Sequence, residues 1–199
     1  MGGNHVSETD PGGAEPTAGV DPADLAAVAH QLGRRPRAVL GIAHRCPCGS
    51  PDVVLTAPRL TDGTPFPTMY YLTCPRAVGA VSTLESSGLM RDLNGRLAAE
   101  PDLARAHRDA HRAYVSARED VAEVPEIAGI SAGGMPTRVK CLHVLVAHSL
   151  AAGPGVNAVG DIALAQLDPW WRAGPCVPRP HEPSPADSTA GQPPTGTTG

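Results

Sequence analysis

Apolar residues recur at helical spacing at Leu25, Val28, Ala29 and Leu32, between Asp21 and Gly33. Asp21 at the N-cap, Pro22 at the first helical position and Gly33 as a stop predict a helix there. The pattern then changes to short apolar runs bounded by turn residues. Residues 38–43 and 53–55 predict two strands, Asp62-Gly63-Thr64-Pro65 a turn, and residues 68–73, rich in Tyr and Thr, a third strand. Helical spacing resumes at Pro75, with Val78, Val81 and Leu84 on one face; Gly88 interrupts it, and further helical blocks come at 89–99 and 101–121. The last of these carries Arg105, His107, Arg108, His111, Arg112 and Arg118, which read as a solvated helix face.

The longest apolar run, residues 136–152, has a glycine-rich entry (Gly129, Gly133, Gly134) and closes on Gly153-Pro154-Gly155. It predicts a buried helix in which Cys141 and His148 lie on nearly one line and His143 points elsewhere. A short helix near 159–167 and the pair Trp170-Trp171 complete the pattern; the pair reads as a plug on the core or as an anchor for a partner. The fold expected is α+β: a small, mostly antiparallel sheet of about three strands covered by helices.

Composition sets the limits of that fold. Gly and Pro number 22 each and crowd the ends, so residues 1–20 and 173–199 are predicted to be disordered and 21–172 to form one folded domain. A net charge of −4 and 3% aromatic residues speak against nucleic-acid binding, which needs basic surface and stacking rings. No apolar stretch is long enough to cross a membrane, and the first residues do not read as a secretion signal, so no membrane insertion and a cytoplasmic location are expected.

The cysteines number five, an odd count without a secretion signal, which favours reduced thiols or metal ligands over disulfides. Cys46, Cys48, Cys74 and Cys141 fall inside the predicted domain, and thiolates with imidazole suit zinc, or less readily an iron–sulfur cluster. Cys46-Pro47-Cys48-Gly49 is one residue short of a Cys-x-x-Cys knuckle. A metal at Cys46, Cys74 and Cys141 with His143 or His148, and Cys48 as an alternate, stands beside two other readings: buried thiols that merely pack, and a metal-free enzyme. In that enzyme Cys74, at a helix N-terminus, or Cys46 would be nucleophile, with His148 or His44 as base. Gly133 and Gly134 with Arg138 and Lys140 could bind a small anion at the start of the long helix, and Asn157 and Asp161 could line the same cavity or serve as local caps.

Several motifs in order carry a resemblance: Arg45-Cys46-Pro47-Cys48-Gly49, residues 62–68, Tyr71-Leu72-Thr73-Cys74-Pro75, Leu84-Glu85-Ser86-Ser87-Gly88, residues 133–136, Val139-Lys140-Cys141-Leu142-His143, and Ala147-His148 with Gly155-Val156-Asn157 and Gly160-Asp161 after it. Over about 37–167 the chain resembles the bacterial domain-of-unknown-function family 501, which has no established activity. The resemblance implies a bacterial cytoplasmic protein, encoded near a septum-formation initiator and an exopolyphosphatase, and with it an adaptor role in cell division as a further alternative. It also implies that Cys46, Cys74, Cys141 and His143 recur among relatives while Cys48 varies, which favours three thiols completed by a histidine.

Overall fold

Asp21 caps the first helix, its carboxylate accepting the Ala23 N–H at 2.8 Å; α1 spans Pro22–Leu32 and ends where Gly33 turns left-handed at φ 67°. The computed structural model describes residues 19–177. Three strands come next, β1 (Val39–Arg45), β2 (Pro51–Thr56) and β3 (Tyr70–Leu72), paired antiparallel in the order β1-β2-β3. Alternation along β2 divides the apolar side chains between two layers. Val54 packs with Val28 and Val39 under α1, whereas Val53 joins Leu72 in the main core on the other face. Both faces of this small sheet are therefore covered.

The main core is built around α5 (Leu142–Ala152), which packs on β3 and against α2 (Pro75–Ser86) and α6 (Ala158–Leu164). Leu142, Leu145, Val146, Ala147, His148 and Ser149 are all buried, while His143, Val144, Leu150 and Ala151 form a half-buried stripe along one side of the helix. Its contact with α6 is close: a Cβ at Gly160 would collide with the Leu145 carbonyl oxygen and the Ser149 hydroxyl. The long helix does not begin near Pro136 as expected. Residues 133–141 form a closed loop, in which the Gly133 carbonyl accepts the amides of Lys140 (2.8 Å) and Cys141 (3.3 Å), and Gly134 accepts that of Arg138 (3.1 Å). Gly134 has φ 96°, and a Cβ there would stand 2.6 Å from the Arg138 carbonyl oxygen.

After α3 (Leu89–Ala99), α4 (Pro101–Val121) turns inward the line Leu103, His107, Ala110, Tyr114 and Arg118. The solvated-face reading holds for Arg105, Arg108 and Arg112 but fails for His107 and Arg118, which are buried. Arg118 donates to the carbonyls of Ile127 (2.7 Å) and Ile130, and His107 Nε2 meets the Arg138 carbonyl at 3.2 Å, while His107 Nδ1 is buried without a hydrogen-bond partner among the described residues. His111 adds a 2.8 Å bond to the Ser131 hydroxyl. One helix thus anchors the whole loop that delivers Cys141 to α5.

Residues 1–18 and 178–199, most of the two predicted tails, lie outside the described residues. Residues 173–177 are described. Trp170 and Trp171, edge to face with centroids 4.9 Å apart, pack on the main core, and just beyond them Cys176 is buried.

Candidate metal centre

The turn between β1 and β2 carries Cys46 and Cys48. The Cys46 N–H donates to the Ser50 carbonyl (3.0 Å), Gly49 donates back to Cys46 (2.8 Å), and Gly49 takes φ 91°, so the hairpin reverses within the Cys-Pro-Cys-Gly sequence. Cys74 is the N-cap of α2, directly after β3, as expected from Cys74-Pro75. Because β3 pairs with β2, the end of β3 and the hairpin tip lie at the same edge of the sheet, where the Thr73 N–H reaches the Asp52 carbonyl at 2.8 Å. The segment after the Trp pair then brings in a fourth thiol. Cys176 Sγ lies 2.9 Å from Cys74 Sγ, 3.5 Å from Cys48 Sγ and 3.8 Å from Cys46 Sγ.

Cys46, Cys48 and Cys176 form a group whose sulfurs lie within 4.8 Å of one another and could hold a metal ion. Sulfurs bound tetrahedrally at about 2.3 Å from zinc stand about 3.8 Å apart, which the Cys46 and Cys48 contacts approach. Burial pushes the Cys46 thiol up to about 11 and the Cys176 thiol up strongly. At Cys48 burial acts the same way, but hydrogen bonds from the backbone of Cys176 and Ser50 outweigh it and bring that thiol down to about 6. Cys48 is therefore the most readily ionised thiol of the Cys46, Cys48 and Cys176 group, and a bound cation would favour the thiolate form of its neighbours.

Cys141 and His143 are not part of this cluster. Cys141 is the N-cap of α5, and its Sγ lies 3.8 Å from His143 Nδ1. The same Nδ1 lies 3.2 Å from Glu85 Oε1 on α2, and this oxygen also accepts the Leu142 N–H at 2.7 Å. The other ring nitrogen faces the Val78 carbonyl and the Ser82 hydroxyl, each at 3.3 Å. The Cys141 contact, opposed by burial and aided by the Glu85 charge, raises His143 to about 9. Cys141 and His143 also line a cleft of about 270 Å³ with Thr68, Tyr70, Tyr71, Leu72, Val78 and Val144. The pocket expected where Cys46, Cys74 and the Cys141 helix meet is replaced by two separate places.

A family model described as a protein of unknown function, DUF501, matches residues 42–165. The chain belongs to this family. No curated protein and no solved structure matches it. Within this DUF501 member, Cys46, Cys48, Cys74, Glu85, Cys141 and His143 fall inside the matched region, whereas Cys176 lies beyond it. Among the described residues no helix is long and apolar enough to cross a membrane.

The remaining candidates have local partners. His44 Nδ1 bonds Asp52 Oδ1 at 2.7 Å, not a thiol; Asp52 is fully buried, and burial raises its pKa against the pull of that bond. Gly133, Gly134, Arg138 and Lys140 lie in the closed loop ahead of α5, and the first amide of that helix is taken by the Glu85 carboxylate, where an anion would otherwise sit. Asn157 caps α6 through Gly160 N–H (3.0 Å), and Asp161 accepts from Gly155 N–H (2.8 Å), which ties the turn ahead of the helix to its first turns. A separate cleft of about 370 Å³ lies beside α1 between Arg34, Arg37, Phe66 and Tyr71 and is lined by no thiol.

His148 is 1% exposed, stacked on Tyr70 (centroids 5.6 Å) and edge-on to Tyr114 (5.1 Å), with Asn157 Nδ2 donating to its Nδ1 at 3.1 Å. Among the described residues its hydrogen bond is to Asn157 and not to a thiol. Burial lowers its pKa from 6.5 to about 4, slightly offset by Asp161. The unfolded chain takes up this proton first, so the stability His148 contributes is present above pH about 6.5 and is lost as pH falls toward 4. The expected loss across that window is about 3 kcal/mol. Urea titrations between these limits should show a shallower pH dependence for His148→Gln, and equal slopes would refute the assignment.

Two site residues escaped the sequence reading. Cys176 stood in a Pro-rich segment assigned to a tail; the signal was the Trp170-Trp171 pair, whose packing tethers the residues just beyond it. Glu85 stands in the sequence only as part of the motif Leu84-Glu85-Ser86-Ser87-Gly88; the signal for its place is its spacing from Val78 and Ser82, which puts it on the face of α2 that His143 meets.

Proposed function

We propose that this protein binds a transition metal, zinc by preference, through Cys46, Cys48, Cys74 and Cys176, and that the ion ties the C-terminal segment to the sheet edge and to the start of α2. The observation that carries this reading is the convergence of sulfurs from the hairpin turn and the α2 N-cap on Cys176, at 2.9 to 3.8 Å. Buried thiols rarely gather in this number without a ligand or a bond between them. All coordination positions would be filled by sulfur, the arrangement of a closed structural site. A second reading is favoured by one contact: at 2.9 Å the Cys74–Cys176 pair is closer than shared zinc ligation needs and longer than the 2.0 Å or so of a disulfide. Oxidation would join those two sulfurs instead.

Elemental analysis and an absorption spectrum of anaerobically purified, reduced protein decide between them. Zinc that falls by about one equivalent per chain in Cys176→Ser is the expected result. Iron with sulfide and a brown colour would substitute a cluster for zinc. No metal loss in Cys176→Ser, with a Cys74–Cys176 peptide in the non-reduced map of air-exposed protein, would replace the metal reading with the redox one.

A further inference from the structure

We infer that Glu85, Cys141 and His143 form a second, independent metal site, open on one side to the cleft beside β3. Carboxylate, thiol and imidazole donors here come from α2 and the start of α5 and lie within 4.8 Å of one another. Donors sharing one face of a tetrahedron around zinc stand about 3.5 Å apart, and the measured separations, 3.8 Å from sulfur to nitrogen and 3.2 Å from nitrogen to oxygen, bracket that value. His143 Nδ1 faces both the thiol and the carboxylate. A single hydrogen on that nitrogen cannot satisfy both acceptors well, whereas a divalent cation at their centre meets all three.

The surroundings match what such a site requires. A histidine ligand is ordinarily oriented by its other ring nitrogen donating to a carbonyl or hydroxyl, and Nε2 of His143 faces the Val78 carbonyl and Ser82 Oγ, both at 3.3 Å. A ligating carboxylate is ordinarily held by a donor, and the Leu142 N–H holds Glu85 at 2.7 Å. With both supporting bonds in place, Glu85 Oε1, Cys141 Sγ and His143 Nδ1 remain within 4.8 Å of one another. Three protein ligands leave a fourth position for water or a ligand oxygen, the pattern of zinc sites that act on a substrate, and Cys141 and His143 line the adjoining cleft of about 270 Å³. The cleft walls are mainly Tyr70, Tyr71, Leu72, Val78 and Val144, so the ligand it suits is a small, largely apolar molecule that presents one oxygen to the metal.

The test is zinc content of reduced, zinc-loaded, desalted protein, with alkylation of Cys141 by iodoacetamide as a second readout. Wild type should hold about two zinc per chain, Glu85→Gln and His143→Gln about one, and either change combined with Cys176→Ser close to none. In wild type, zinc should slow Cys141 alkylation at least tenfold relative to the chelated protein, and it should not in Glu85→Gln. If Cys176→Ser keeps the full zinc content while Glu85→Gln loses one equivalent, the second site stands although the four-thiol centre falls. Unchanged zinc in both Glu85→Gln and His143→Gln, or alkylation of wild-type Cys141 at the same rate with and without zinc, overturns the inference. The wild-type alkylation measurement does not depend on any variant folding.

Discussion

Removing the ion from the Cys46, Cys48, Cys74 and Cys176 centre should lower the melting temperature by about 10–20 °C. A cross-link between Cys74 and Cys176 spans 102 residues, and closing a loop of about 100 residues restricts the unfolded chain by about 4–5 kcal/mol. For a domain of this size each kcal/mol corresponds to about 2–4 °C. The cross-linking argument holds whether the link is a metal or a disulfide, but the two respond to different reagents. A metal-held chain loses this stability to a chelator and is indifferent to a mild reductant; a disulfide-held chain does the reverse. Cys176→Ser should show the same drop and, since it removes the same link, should add little to the effect of the chelator. Chelation that leaves the melt of reduced protein unmoved would remove the structural role proposed for the centre.

Arg118→Ala should cost about 3–5 kcal/mol, measured by urea denaturation. The guanidinium is 1% exposed and donates to the carbonyls of Ile127 and Ile130, so truncation leaves both acceptors without their donor and a cavity beside Tyr114. Arg118→Lys should recover only part of the loss, because a single ammonium lacks the planar fork that spans two separated carbonyls. Amide exchange should quicken first at residues 127–131, the segment this side chain ties to α4. A loss below about 1 kcal/mol would mean that the loop holds itself and that the arginine is incidental.

The contrast between α1 and α4 shows how far local signals reach. Asp21, Pro22 and Gly33 act within a few residues of themselves, so capping and termination of α1 could be read directly and agree with the structure. On α4 the spacing of Leu103, Ala110 and Tyr114 was equally visible, but His107 and Arg118 lie on the same line, and charge and polarity suggested water. What buries them is the loop at 127–138, whose carbonyls supply partners that only tertiary packing brings near. The start of α5 differs from the sequence expectation for a related reason: helical composition continues back to Pro136, but the amides of Arg138, Lys140 and Cys141 are used to close the loop on Gly133 and Gly134.

The sequence by itself determined the α+β class, the three short strands, the burial of α5, the N-cap position of Cys74 and the small set of thiols and imidazoles able to do chemistry. All of these rest on periodicity, capping and composition, which act over a turn or two of chain. Which thiols meet was decided only by the tertiary structure. Pairing of β2 with β3 brings the Cys46-Cys48 turn and Cys74 to the same end of the sheet, and the packing of Trp170 and Trp171 carries Cys176 between them, while α5 holds Cys141 and His143 against Glu85 on α2. The sulfur contacts of Cys176 and the Glu85 contacts of α5 join residues 57 to 130 positions apart in the chain, and nothing local in the sequence encodes such a distance.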